Sequence, residues 1–391
     1  MEAQNRRTLL IRCAIALLGL FLLIEMEDKE AYYSDGGQSR LPRFLLEEAR
    51  PELFRKVTAL ELHTFESLVE EFRRRGLLED GRSVRVEEQV LMFLDIVVYN
   101  NAMRQTAVKF CRGLYTVQRY FHAVLDALVA LYPRYVNLTP PTSLPERLQD
   151  PKYAAFKNCL GALDGVLIPV KVPLHQQAPY RTRKGFLAQN VLAVVSFDFK
   201  FLFLLAGWEG SAHNGTVLAD AFCKKFTILE KKYFLADAGY ALQKGLLIPF
   251  RATQYHLKEQ AAAGLRPATQ KELYNLRHSS LRNVVERLFG CLKEKFKILT
   301  TPSEHSIEQQ VQLVYALATL WNFLRDHQQL DDNQILMDDK AFNNRSDEET
   351  NPTPHLRSAV EDAAMGSRRA RICEKLWSQY QTYLAANPRS H

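Results

Sequence analysis

Apolar residues change their spacing once along this chain, and that change limits what it can fold into. Up to about residue 135 they recur at helical intervals, as in Phe65, Leu68, Val69 and Phe72, or Val90, Leu91, Leu94, Val97 and Val98. That is the pattern of helices with one buried face. After the proline-rich stretch NLTPPTSLPERLQDP they come in β-rich runs: NCLGALDGVLIPV, then NVLAVVSFDFKFLFLLAGWEG, then YFLADAGY. A tight turn near Asp198 to Lys200 makes the middle run a hairpin. TVLADAFCKKF, between the hairpin and the last strand, suits a helix capped by Asn214 or Ser211. Helices over HSSLRNVVERLFGCLKEKF and EQQVQLVYALATLWNFLRDH follow. Three strands, a helix, a strand and further helices describe an α/β unit, a mixed sheet with helices on its faces.

The 391 residues, 47% of them apolar, suffice for two or three such units. The expected divisions are an apolar and charged N-terminal segment (1–40), a helical region (41–137), a proline-rich linker (138–150), the α/β unit (151–327), an acidic linker expected to be disordered (328–354) and a C-terminal amphipathic helix (355–391). Within the helical region, MRQTAVKFCRGLYTVQRYFHAVL gives a short helix, a break at Gly113 and a longer helix from near Thr116. This is a helix-turn-helix shape whose second helix would present Gln118 and Arg119 to a DNA groove. An ordinary helical hairpin is the competing reading.

Several function classes drop out. Six dispersed cysteines form no C-x-x-C pair and no zinc-spaced cluster, so reduced thiols in an intracellular protein are expected. P-loop, H-E-x-x-H and G-x-S-x-G motifs are missing. The unbroken apolar run Cys13 to Ile24 is short for a bilayer core of ~30 Å and ends in Glu25, Glu27 and Asp28, so no stable membrane insertion is expected. A formal net charge of +7 leans towards an anionic partner.

Two carboxylates do not belong where they are. Asp164 interrupts the first apolar run and Asp237 the last, and an unpaired buried charge costs several kcal/mol. A third, Glu286, shares a polar helix face with His278 and Arg282 at four-residue spacing. Each has a plain alternative, a turn cap for the aspartates and a solvated ion pair for the glutamate. Together they suit divalent ions, since converging carboxylates repel unless a cation such as Mg²⁺ or Mn²⁺ neutralises them. Two ions about 3.5–4 Å apart can drive in-line phosphoryl displacement.

The runs quoted above, with YRTRKGF and LLIPFRATQYHLKE, resemble in order the successive blocks of the DDE domain of PIF/Harbinger transposases, over about residues 151–327. TVQRYFHAVL resembles the helix-turn-helix that precedes it in that family. The resemblance implies a ribonuclease H-like DDE nuclease domain with Asp164, Asp237 and Glu286 as successive catalytic acids and ligands of two Mg²⁺ or Mn²⁺ ions. It further implies a homo-oligomer on DNA, a Myb/SANT-like partner protein, and action in the nucleus with the cytoplasm as a second location. Arg181, Arg183 and Lys184 of YRTRKGF are suited to DNA phosphates, and Arg282 is a further candidate contact. Two departures from the family pattern stand out. Asn214 replaces an aspartate after the histidine of GSAH, and Leu114 and Tyr115 replace small hydroxyl residues before the recognition helix, which weighs against sequence-specific reading by that helix. Two functions follow: a transposase or transposase-derived nuclease with strand transfer within reach, or a domesticated module that binds DNA or protein without cutting.

Overall fold

The computed structural model describes residues 40–139, 143–251, 253, 267–327 and 362–387. Packing divides the chain into two units, Met1–Ile96 with Asn101–Val124, and Val97–Asn100 with Leu125–His391. The N-terminal segment expected at 1–40 lies, but for Arg40, outside the described residues, as do the apolar run Cys13 to Ile24 and the linker expected at 328–354. Among the described residues no helix is long and apolar enough to cross a membrane.

The first unit is helical: α1 (Pro51–Thr58), α2 (Leu62–Arg74), α3 (Val86–Tyr99), α4 (Met103–Lys109) and the start of α5 (Leu114–Tyr135). Both predicted apolar stripes are buried. Phe54 meets Phe65 edge-on at 5.4 Å, and Phe93 lies 5.3 Å from Phe121. Between α4 and α5 the left-handed residue is Cys111 (φ 48°), two positions before the glycine where the break was expected. Ionic groups reinforce this turn. Asp95 of α3 accepts from Thr106 Oγ1 at 2.6 Å and Lys109 Nζ at 2.8 Å, and Arg112 donates to both oxygens of Glu88 at 2.7 and 2.9 Å. The carboxylates thus tie α4 and the turn to α3.

The second unit is built on a five-stranded sheet in the order β3-β2-β1-β4-β5. Its strands are β1 (Cys159–Pro169), β2 (Ala188–Ser196), β3 (Phe201–Glu209), β4 (Tyr233–Leu235) and β5 (Leu246–Leu247). β1, β2 and β3 are antiparallel neighbours, while β4 lies parallel to β1 and β5 to β4. β4 can be parallel because α6 (Asn214–Cys223) carries the chain back after β3. The longer helices that follow, among the described residues, are α7 (Gln270–Arg282), α8 (Val284–Lys295), α9 (Ile307–His327) and α10 (Ala363–Ala386). α8 packs on β1 and β2, α9 on β3, and α10 on α7. This is the ribonuclease H-like class expected: a mixed sheet flanked by helices, with a helical region before it.

β3 ends the sheet, and side chains satisfy its open edge. Phe201 N–H donates to Asn322 Oδ1 at 2.9 Å while Asn322 Nδ2 donates back to Phe201 O at 2.7 Å. Tyr132 Oη serves Leu204 in the same way, at 3.0 Å from N and 3.2 Å from O. Both devices close an edge that would otherwise invite strand pairing. The helix expected to run unbroken through residues 278–296 is two helices meeting at Asn283. Asn283 stays in the right-handed region (φ −55°, ψ −11°), so residues on either side keep helical neighbours.

Candidate active site

The register of β1 and β4 places the two aspartates. Ala162 pairs with Leu235 across the parallel strands. Asp164 and Asp237 each lie two residues further on, and an advance of two returns a side chain to the same face of a strand. Adjacent parallel chains therefore bring both residues to one level, two positions beyond the last pair. Asp164 is still inside β1, opposite Ala193 of β2, whereas β4 has ended and Asp237 begins the turn after it. The Asp237 carboxylate accepts from Gly239 N–H at 3.3 Å, and Tyr240 N–H donates to Asp237 O at 3.1 Å.

Glu286 comes from the first turn of α8, and Arg282 from the last residue of α7. Arg282 Nη1 donates to Asp164 Oδ2, and Arg282 Nη2 to Glu286 Oε1 at 3.1 Å. Both Arg282 and Asp164 are nearly enclosed, with side chains 15% and 14% exposed. The second Asp164 oxygen accepts from Gly165 N–H at 2.8 Å. Burial pushes the Asp164 carboxyl from an ordinary 3.8 up to about 7; Arg282 pulls it down, while Asp237 and Glu286 add to the rise. Asp237 and Glu286 are thus both near enough to act on Asp164, and a guanidinium lies between Asp164 and Glu286.

The sequence bears the same stamp. Residues 163–322 match the family described as DDE superfamily endonuclease, a span that contains all three carboxylates. Residues 163–322 are a DDE superfamily endonuclease domain. Residues 45–130 match a second family, described as a domain of unknown function, DUF8040. Among curated proteins, the chain is 24% identical over 257 residues to "Putative nuclease HARBI1" of Homo sapiens, covering 63% of this chain and 69% of that one. The Bos taurus protein of the same name is 23% identical with the same coverage. "Protein ALP1-like" of Arabidopsis thaliana is 25% identical over 225 residues, 51% of this chain and 52% of its own. No solved structure matches the chain.

The face of β1 opposite the Asp164 side chain is polar and tight. A Cβ on Gly165 would meet Asn214 Oδ1 at 2.5 Å and Asn190 Oδ1 at 3.1 Å, so the residue after Asp164 has no room for a side chain. Asn190 Nδ2 donates to Asn214 Oδ1 at 3.3 Å and to Ala212 O at 3.2 Å. Asn214 therefore packs on Gly165 as the first residue of α6, on the face of β1 opposite the Asp164 side chain, and does not cap its helix; the N-cap is His213, which makes no side-chain cap bond. His213 Nδ1 lies 3.4 Å from Arg183 Nη2, which brings the exposed loop of Arg181, Arg183 and Lys184 to the rim beside Asn214. Arg181 Nη1 donates to Gly185 O at 2.9 Å within that loop. Gln118 and Arg119 belong to the helical unit and are exposed on α5, the guanidinium 5.5 Å from the Tyr120 ring. Arg282, expected at a DNA surface, is turned inward on the carboxylates.

Other residues of the DDE domain enter the site unannounced. The Tyr240 hydroxyl, buried near Asp164 and Asp237, makes no hydrogen bond among the described residues. His278, expected on a polar helix face, is fully buried; its Nε2 donates to Leu247 O at 3.0 Å, and burial pulls its pKa down to about 4. A lone Asn within the apolar run of β2 was a signal for Asn190. Nothing in the pattern singles out Tyr240 among 16 tyrosines.

As donors, Asp164, Asp237 and Glu286 suit a hard divalent ion, being all carboxylate oxygen. As placed, among the described residues, no three His, Cys, Asp or Glu side chains stand close enough to hold one. The positive charge between Asp164 and Glu286 is that of Arg282.

Proposed function

We propose that this chain is a transposase-derived DNA nuclease of Harbinger type, which hydrolyses phosphodiester bonds at the site of Asp164, Asp237 and Glu286. The observation that supports the reading is the equal advance of Asp164 and Asp237 beyond the Ala162–Leu235 pair on adjacent parallel chains, with Asp237 and Glu286 both raising the Asp164 pKa. Such an arrangement is unfavourable unless positive charge is brought to it. Two Mg²⁺ or Mn²⁺ ions on the three carboxylates, when bound, would supply an activated water and charge stabilisation at the leaving oxygen. The residues of the chain do the positioning. Gly165 N–H orients Asp164, and Gly239 N–H orients Asp237. Arg181, Arg183 and Lys184 at the rim take backbone phosphates on the Asn214 side. Reading of DNA sequence would fall in part to a Myb/SANT-like partner, because the head of α5 shows bulky Leu114 and Tyr115 to solvent. Oligomers on DNA and action in the nucleus complete the proposal.

A second reading, a binding module that no longer cuts, has one observation on its side: Arg282 already supplies a counter-charge to Asp164 and Glu286. Purified protein incubated with labelled duplexes of its flanking genomic ends separates the two. Mg²⁺-dependent nicks that vanish in Asp164→Asn support the nuclease; tight DNA binding with no cleavage in Mg²⁺ or Mn²⁺ supports the module.

A further inference from the structure

Arg282 stands where a metal ion is needed. Its guanidinium spans a strand carboxylate and a helix carboxylate, with Nη1 on Asp164 Oδ2 and Nη2 3.1 Å from Glu286 Oε1. It is drawn from α7 and reaches Glu286 across the break at Asn283, four residues along. The other Asp164 oxygen already accepts from Gly165 N–H, so a cation approaching Asp164 meets Arg282 at Oδ2. Pairing at this depth is not neutral decoration. A nearly enclosed carboxylate without a counter-charge destabilises the fold, and two cations cannot share the same oxygens without strong repulsion.

We propose that Arg282 is the resident counter-cation of the acid site: it keeps Asp164 and Glu286 in place while no ion is bound, and it must release Asp164 before a divalent ion can take it. Arg282 is then a positioning residue that sets metal affinity, through competition for Asp164 and Glu286. This rests on the metal-dependent reading of the three carboxylates. It also accounts for why Asp164 and Glu286 share one guanidinium.

The test is Mn²⁺ binding to the full chain without DNA, followed by titration calorimetry, for wild type, Arg282→Gln and Asp164→Asn. Removing a competing charge from the same oxygens should tighten Mn²⁺ binding by about tenfold or more at low salt. In the same variant, the metal-free melting temperature should fall, and saturating Mn²⁺ should raise it by more than in wild type. A residue that merely buttresses the site would instead weaken Mn²⁺ binding when removed, and a folded Arg282→Gln with unchanged or weaker affinity overturns the proposal. If Arg282→Gln does not fold, Arg282→Lys is judged by the same standard, since it keeps the charge but loses the two-pronged reach: affinity above wild type supports competition, and equal or lower affinity overturns it. Wild type that binds Mn²⁺ through Asp164, beside an Arg282 variant of equal affinity, defeats the role of Arg282 alone. Absence of Mn²⁺ binding in every variant defeats the metal-dependent reading itself, and this proposal with it.

Discussion

The carboxyl of Asp164 is both nearly enclosed and near two others of like charge. Between pH about 4 and 7 the folded protein holds a proton on Asp164 that the unfolded chain has released, because its pKa rises from 3.8 to about 7 on folding. Stability contributed by this group therefore falls as pH rises through that window. Asp164→Asn removes the carboxylate while keeping the shape, so the metal-free variant should melt no lower than wild type at pH 8. Its advantage should shrink towards pH 5, where wild-type Asp164 is largely protonated. The same variant should lose cleavage in Mg²⁺ and Mn²⁺ alike and keep its metal-free DNA affinity. Melting curves from pH 5 to 8, beside a nicking assay, check both halves. An aspartate that served as a turn cap would show the opposite, a loss of about 0.5–2 kcal/mol with cleavage reduced only as far as folding is.

Elements differ in how plainly the sequence announces them, and the reason is where their polar groups go. The strands β1 to β3 and the apolar stripes of α2 and α3 are legible because burial writes itself as period and composition. Asp164 and Asp237 are legible as interruptions of that pattern, and their shared level follows once β4 is known to lie parallel to β1. What escapes is pairing between distant polar residues, because Arg282 on Asp164 and Arg112 on Glu88 look, in one dimension, like solvated charge. Asn214 looks like a helix cap for the same reason, and the structure turns it to Asn190 instead. The helical unit offers a direct check. Glu88 and Arg112 are 6% and 7% exposed, so Arg112→Ala would strand a buried carboxylate and destabilise this unit by about 3–5 kcal/mol. Glu88→Gln with Arg112→Met should recover most of that loss in urea unfolding, since it buries no lone charge. Equal destabilisation of the single and double variants would mean that packing, and not the ion pair, ties the α4–α5 turn to α3.

Across the whole molecule the chain has a formal charge of +7, and where that charge can act decides which residues would meet DNA under the proposed function. Total charge cannot tell a binding face from a solvated one, which is why the sequence alone leaves this question open. The structure separates the basic residues by their engagements: Arg282 is enclosed by carboxylates, whereas Arg181, Arg183 and Lys184 are exposed on the loop whose Arg183 lies 3.4 Å from His213, next to Asn214. Each phosphate neutralised by such a residue releases counterions and steepens the fall of log affinity with log salt by about 0.9. Replacing Arg181, Arg183 and Lys184 together by Ala should therefore flatten that slope by about 2 to 3, with DNA binding measured by fluorescence anisotropy from 50 to 300 mM salt (roughly the range over which such contacts dominate). Gln118→Ala with Arg119→Ala, on α5 of the helical unit, removes one charge and should flatten the slope by about 1 at most. Arg282→Gln should leave the metal-free slope unchanged, because its charge is already spent on Asp164 and Glu286. A triple variant with the wild-type slope would make the loop a solvated surface, and a flattened slope in metal-free Arg282→Gln would put Arg282 back at the DNA.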